Sequence, residues 1–253
     1  MLVEERRQRV LDLVKTRGFV AMEDLAGAIG VSDSTIRRDL EALQHTGSLK
    51  KTHGGAVYVG NGTSLPALEE RYAAQLEEKR QIARAAVARI QDGDTVLLDG
   101  GTTTLEVARL LVGRAVQIVT NSLPIAALFA SRHEADLVLL GGYIYPRTGV
   151  ALGPWTVQMM ERIHVQQAIL SVGGITDKGL FNSNLLLVET ERQMMRCADE
   201  VVVVADHTKI GRPALAFLCD LATIDTLVVD SALAHAQRAL LDQTDVRVIY
   251  AEG

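Results

Sequence analysis

Residues 23–43 read Glu-Asp-Leu-Ala-Gly-Ala-Ile-Gly-Val-Ser-Asp-Ser-Thr-Ile-Arg-Arg-Asp-Leu-Glu-Ala-Leu. Two short helices with a tight turn between them fit this stretch. Ala26 is small enough for close helix packing, and Gly30 can take the left-handed conformation that a tight turn demands. Ser32 stands where an N-cap belongs, ahead of the second helix. Ile36, Leu40 and Leu43 then share one face at i, i+4 and i+7. That leaves Ser34, Thr35, Arg37 and Arg38 facing outward near the helix start, the positions that enter the major groove in a helix-turn-helix. Two adjacent arginines offer forked donors to guanine edges or phosphates.

The next residues support the same reading. Leu49-Lys50-Lys51-Thr52 and Ala56-Val57-Tyr58-Val59 are short strand-like runs, separated by the turn chemistry of His53-Gly54-Gly55. A hairpin carrying Lys50, Lys51 and His53 suits the phosphate backbone. Helix-turn-helix followed by a wing implies a DNA-binding module with Ser32, Ser34, Thr35, Arg37, Arg38, Lys50, Lys51 and His53 as its contact set. Upstream, a first helix is expected from about Glu4 to Thr16, with Val10, Leu11 and Val14 as its apolar stripe and Gly18 closing it.

At 253 residues the chain has room for two domains, and 48% apolar residues can build a well-formed core. The net charge is −5, but it is unevenly spread. Residues 1–57 hold nine Lys and Arg against eight Asp and Glu, a net +1; the remainder is −6. So weak a positive balance means that affinity for DNA rests on clustering of cations on one face and on binding as an oligomer, a dimer or tetramer. No apolar run reaches the ~18 residues of a membrane helix. Met1-Leu2-Val3 leads straight into charge, so no signal peptide and a cytoplasmic location are expected. Cys197 and Cys219 lack CxxC spacing and read as buried thiols. The six histidines show no metal-ligand spacing, so neither metal nor cofactor is expected.

Gly60-Asn61-Gly62-Thr63-Ser64-Leu65-Pro66 is a linker, dividing a winged helix-turn-helix over 1–59 from an α/β domain over 67–253. The second part opens with one long charged helix over about Ala67–Ile90, with Glu77, Glu78, Arg84 and Arg89 on its exposed face. Beyond it, β-rich runs at Thr95–Leu98, Val116–Thr120, Asp136–Leu140, Ala168–Val172, Val201–Ala205, Thr226–Val229 and Val246–Tyr250 alternate with helical segments. That alternation predicts a mainly parallel sheet. Four runs end in polar or glycine-rich turns: Asp99-Gly100-Gly101-Thr102-Thr103-Thr104, Thr120-Asn121-Ser122, Gly141-Gly142 and Ser171-Val172-Gly173-Gly174. A fifth ends in Asp206-His207-Thr208-Lys209. Ligands bind at the carboxyl ends of strands in open α/β sheets, and hydroxyls, helix N–H groups and a lysine suit an anion. The 99–104 turn is neither a Walker loop nor a G-x-G-x-x-G fingerprint. Asp99 can bind a hydroxyl of a ligand or organise its own turn. Glu189 can face a pocket or solvent. Asn182 and Asn184 read as turn formers, and Trp155, after Gly153-Pro154, as a packing residue.

The whole chain resembles the DeoR family of transcriptional regulators. The resemblance rests on Thr35-Ile36-Arg37-Arg38-Asp39-Leu40, Thr52-His53-Gly54-Gly55-Ala56, Glu78-Lys79-Arg80 with Ile82-Ala83, Asp99 to Thr104, Thr120-Asn121-Ser122, Gly141-Gly142 and Asp206-His207-Thr208-Lys209-Ile210-Gly211. It implies a sensor domain related to ribose-5-phosphate isomerase and release from an operator by a phosphorylated sugar or polyol. By similarity, Asp99, Gly100, Gly101, Thr102, Thr103, Thr104, Asn121, Gly141, Gly142 and Lys209 line the effector site. Two positions depart from the family pattern. Ser171-Val172-Gly173-Gly174 stands where many relatives have a Gly-Ala-Asp-Gly type of sequence, and Thr208 stands where serine is common. The lack of carboxylates at 171–175 removes acid–base candidates and favours a sensor over a catalyst. The competing readings are a sugar-phosphate isomerase with an appended DNA-binding module, and a DNA-binding protein whose α/β domain serves assembly alone.

Overall fold

A computed structural model describes residues 3–17, 19–45, 49–52, 54–58 and 68–252. The chain divides into two compact units, Met1–Pro66 and Ala67–Gly253. The linker read at 60–66, like Gly18 and His53, lies outside the described residues.

In the first unit, helix α1 (Val3–Arg17), strand β1 (Phe19–Ala21), helices α2 (Met22–Ile29) and α3 (Asp33–His45) and strands β2 (Leu49–Lys51) and β3 (Gly55–Tyr58) follow in order. The strands form an antiparallel sheet in the order β1-β3-β2, with Lys50 opposite Val57 and Phe19 also opposite Val57. Strand β1 has no counterpart in the sequence reading, because three residues are too few for an alternation to register. The α2–α3 turn forms as its residues dictate: Gly30 sits at φ 75° and donates its N–H to the Ala26 carbonyl at 2.9 Å. Val10, Leu11 and Val14 of α1 meet Leu25, Ile36, Leu40 and Leu43 in one core, closed by Leu49 and Ala56 of the wing. Asp39 is 1% exposed and is held by two arginines of α1. The Arg6 Nε–Oδ2 distance is 2.5 Å and the Arg7 Nε–Oδ1 distance 3.2 Å.

The second unit opens with α4 (Leu68–Ala73) and α5 (Leu76–Val87). The single long helix expected over 67–90 is therefore broken. Gln75 adopts φ 53° between the two pieces. The Lys79 ammonium turns back and donates to the carbonyls of Arg71 and Ala74, occupying groups that a continuous helix would have used. Arg89 departs from expectation too. It pairs with Glu200 and is mostly buried, whereas Arg84 and Glu77 are exposed.

The rest of the unit runs β4 (Thr95–Leu98), α6 (Thr102–Leu111), β5 (Gln117–Thr120), α7 (Leu123–Phe129), β6 (Asp136–Leu139), the hairpin β7 (Tyr143–Tyr145) and β8 (Val150–Leu152), and α8 (Pro154–Met160). It continues with β9 (Val165–Ser171), β10 (Gly174–Thr176), β11 (Gly179–Asn182), α9 (Leu185–Arg196), β12 (Ala198–Ala205), β13 (Ala216–Cys219), β14 (Thr226–Asp230), α10 (His235–Leu241) and β15 (Arg247–Ala251). Seven strands make one parallel sheet in the order β15-β14-β12-β9-β4-β5-β6, and they correspond one for one to the seven β-rich runs. Apolar cores cover both faces. Strands β10, β11 and β13 form a separate antiparallel sheet. Cys197 and Cys219 are buried free thiols.

Lys79→Met keeps the apolar stem and removes the ammonium. Two carbonyls at the α4 end then lose their donors, and the expected loss is about 1–3 kcal/mol of stability. Urea denaturation of both proteins measures it; equal midpoints would show that the α4–α5 break holds without Lys79.

Candidate functional site

On α3 the residues read as contacting DNA sit at the start of the helix. Ser32, Ser34, Arg37 and Arg38 are exposed and Thr35 is half-buried. The Ser32 carbonyl accepts from the N–H groups of Thr35 at 2.9 Å and Ile36 at 3.1 Å, which begins the helix. Its hydroxyl shares hydrogen bonds with those of Ser34 and Thr35, each at 3.0 Å. Asp39, one turn on, points inward to Arg6 and Arg7, so its charge is spent inside the unit. In the wing, the Lys51 ammonium lies 2.6 Å from Glu41, whose carboxyl is held below its usual range by that bond. Lys50 lies in β2, opposite Val57 of β3.

The second site grows from strand order. The chain leaves β4 toward β5 and β6, then returns to place β9 on the opposite side of β4. Successive crossovers diverge there, at the carboxyl ends of β4 and β9, the position at which open α/β sheets take their ligands. Asp99 follows β4 and Ser171 ends β9. The Asp99 Oδ2 accepts from the Ser171 hydroxyl at 3.0 Å and from its N–H at 3.3 Å. Thr104 fixes the turn into α6: the Gly101 N–H donates to its hydroxyl oxygen at 2.8 Å, and that hydroxyl donates to the Asp99 carbonyl at 2.6 Å. Only glycine fits the next two positions. A Cβ at Gly100 would stand 1.8 Å from Val150 Cγ1, and one at Gly101 1.9 Å from Ser171 Oγ. Thr102 and Thr103 are buried at the start of α6.

Neighbouring strand ends converge unequally. The Asn121 amide donates to the Ala151 carbonyl at 2.9 Å, while its Oδ1 is buried without a partner. Ser122 caps α7 and would lie 3.4 Å from a Gly100 Cβ. Lys209 closes a short 3-10 turn capped by Asp206, whose carboxylate accepts the Thr208 N–H and hydroxyl. Lys209 is half-buried and stands near Lys79, whose ammonium is pushed down chiefly by burial, against the pull of Asp206. Gly141 and Gly142 follow β6 at the sheet edge. There Thr156 of α8 donates to the Gly141 carbonyl at 2.8 Å, and Gly141 itself is exposed.

Two residues absent from the sequence reading, Glu191 and Arg71, stand close enough to Asp99 to feel its charge. Glu191, in α9, is 1% exposed; it accepts from the Asn182 amide, and its Oε2 is buried without a partner. Arg71, in α4, aims a buried Nη1 that also lacks a partner, close enough to Asp99 to lower that carboxyl. Burial outweighs this, so Asp99 is raised overall. Glu191 is raised well above the usual range, first by burial and then by the charge of Asp99. The signal for Glu191 was present: with Leu187, Val188 and Met194 it falls on the apolar face of α9. Glu189 is exposed. Asn184 caps α9 as expected of a turn former, whereas Asn182 also serves Glu191. Trp155 is corrected outright: it is 74% exposed, because α8 turns Thr156 and Met160 inward and leaves Trp155 on its outer face. No carboxylate stands at 171–175, and the buried carboxyls of the region are Asp99, after β4, and Glu191, in α9. Among the described residues no cluster of three or more His, Cys, Asp or Glu side chains could hold a metal ion, and no helix is long and apolar enough to cross a membrane.

A raised carboxyl binds its proton more tightly in the folded chain than in the unfolded one. Its stability contribution is therefore complete below the ordinary value of 4.5 and is lost as pH climbs from there to the raised value. Glu191→Gln keeps an acceptor for Asn182 and removes the ionisable group. The variant is expected to melt above the wild type at pH 8 and close to it at pH 4. A wild-type advantage that grows with pH would overturn the assignment of Glu191 as a buried, unpaired carboxyl.

Residues 74–231 match the family model described as the DeoR C terminal sensor domain, and residues 6–61 match the DeoR-like helix-turn-helix domain. The chain is 32% identical to the glycerol-3-phosphate regulon repressor of Escherichia coli (strain K12) over 229 residues, covering 90% of each. It is 33% identical to the HTH-type transcriptional regulator GlpR of Haloferax volcanii over 251 residues, covering 98% of each. Among solved structures, a ribose 5-phosphate isomerase from Methanocaldococcus jannaschii aligns with 54% of this chain and 55% of its own at 21% identity and a TM-score of 0.40. With both family models matched in order along it, the chain belongs to the DeoR family of helix-turn-helix transcriptional regulators.

Proposed function

We propose that this regulator is a repressor released from its operator by a phosphorylated sugar or polyol. The observation that carries the effector reading is the glycine turn at the divergence of β4 and β9, tied by Asp99 to Ser171, with Lys209 at the end of the adjacent strand β12. Residues 99–104 offer helix N–H groups and hydroxyls, and Lys209 offers a point charge to the phosphate. The name of the Escherichia coli relative, a glycerol-3-phosphate regulon repressor, supports a phosphate-bearing effector. In this reading residues 1–59 bind DNA, 60–66 link, and 67–253 sense the effector and assemble the oligomer. The protein acts in the cytoplasm as a dimer or tetramer, since one helix-turn-helix of weak net charge gains affinity from paired half-sites. Thr102, Thr103 and Asn121 face the ligand, while Thr104 holds the turn. Gly141 and Gly142 shape the neighbouring wall. No cofactor enters.

One observation favours a second reading. Asp99 and Glu191 are buried carboxyls of raised pKa at a strand-end crevice, a combination suited to acid–base chemistry on a sugar phosphate. Turnover of ribose 5-phosphate by the purified protein tests it. The names of the relatives, all of them regulators, favour the sensor without catalysis.

Arg37→Ala and Arg38→Ala are each expected to weaken operator binding by about 1–3 kcal/mol at fixed salt. Wild-type affinity in both, measured by fluorescence anisotropy, would remove α3 from base reading. Lys209→Ala is expected to remain on the operator when glycerol 3-phosphate, fructose 1-phosphate, glucose 6-phosphate and ribose 5-phosphate are tested in turn, while at least one of them releases the wild type. Release of the variant at wild-type concentrations would overturn the phosphate role of Lys209.

A further inference from the structure

Among the described residues six buried side-chain polar atoms have no hydrogen-bond partner, and three of them, Glu191 Oε2, Asn121 Oδ1 and Arg71 Nη1, belong to the elements that meet near the Asp99 turn. Buried polar groups are nearly always paired, and each one left unpaired costs free energy. These three come from α9, the end of β5 and α4, so they are not one local defect. Several contacts draw them together. Asp99 feels the charge of both Arg71 and Glu191. Asn121 is joined to Ala151 of β8, whose neighbour Val150 lies against Gly100 and packs with Leu187 of α9. Arg71 also feels Tyr145, at the end of β7.

The unmet demands specify a ligand. Glu191 and Asn121 present oxygens that seek donors, and Arg71 presents an N–H that seeks an acceptor. A phosphate dianion offers acceptors alone, so it supplies no donor to Glu191 or Asn121. An apolar chain satisfies none of the three. Hydroxyl groups donate and accept at once, so a run of two or more meets all three atoms. Resting on the reading of this crevice as a phosphosugar site, we propose that Glu191, Asn121 and Arg71 bind the polyhydroxy carbon chain of the effector, and that they make the protein selective for phosphates bearing at least two hydroxyls. In that reading Lys209 takes the phosphate.

Isothermal titration of the full-length protein tests the proposal with glycerol 3-phosphate, ribose 5-phosphate, fructose 1-phosphate and glucose 6-phosphate. Propyl phosphate serves as the hydroxyl-free comparison. Wild type is expected to bind at least one polyol phosphate about tenfold or more tightly than propyl phosphate, because a site built for hydroxyls penalises their absence. Glu191→Gln, which turns the orphan acceptor into a donor, is expected to erase that margin while binding propyl phosphate as wild type does. Glu191→Asp, which withdraws the carboxyl by one carbon, gives a second variant with the charge retained. Lys209→Ala is expected to weaken all five ligands alike. Unchanged selectivity in both Glu191 variants, with Lys209→Ala still weakened, would overturn the hydroxyl assignment and leave the phosphosugar reading standing. Equal wild-type affinity for propyl phosphate would do the same. No binding of any of the five to wild type would overturn both.

Discussion

The second unit depends on one topological fact: β4 has β5 on one side and β9 on the other, and the chain departs in opposite directions from the two. A parallel sheet buries its strands between covering layers, so its interior has no room for a ligand. Only where consecutive crossovers part company do the strand ends stand uncovered. The residues there must both close the gap and leave space. Asp99 reaches across to Ser171, and Gly100 and Gly101 let Val150 and Ser171 approach to distances that no side chain would tolerate. The turn into α6 is thereby pinned from three sides before any ligand arrives.

Around this tie the chain holds polar groups at a cost. Glu191 and Asn121 each bury one oxygen without a partner, Arg71 buries one such nitrogen, and Lys79 is bent back against the break that follows α4. A core selected for stability alone would replace Glu191 with an apolar residue, as its neighbours Leu187, Val188 and Met194 show. Local rules of packing give way here, as they do where a protein meets another molecule.

How much of this was legible in the sequence follows from the range of each interaction. The seven strands of the sheet announce themselves because a parallel strand is a continuous apolar run, and the turns that follow them carry their own chemistry. The helix pair of the first unit was legible through the spacing of Ile36, Leu40 and Leu43 and the position of Gly30. The break at Gln75 was not, since neither proline nor glycine marks it; it depends on a lysine four residues later reaching backward. Arg89 looked solvated because its partner, Glu200, is more than a hundred residues away in another strand. Trp155 looked buried because tryptophan usually is, yet α8 turns it outward. Glu191 is legible only through helical phase, which sets it with Leu187, Val188 and Met194 on the inner face of α9.

The pairing of Asp39 with Arg6 and Arg7 bears on how the operator complex responds to ionic strength. Each DNA phosphate neutralised by a protein cation releases condensed counterions, at a slope of about −0.9 in log affinity against log salt concentration. Cations already satisfied by a protein carboxylate contribute little to that release. Arg6 and Arg7 are committed to a carboxylate that is 1% exposed and cannot be resolvated without opening the core of the unit. Lys51 faces Glu41 in the open, where a phosphate can replace the carboxylate at small cost. The nine cations of the first 57 residues therefore overstate the electrostatic footprint. Operator affinity should fall more gently with added salt than their number suggests, leaving a larger share of binding to directed contacts that survive at high ionic strength.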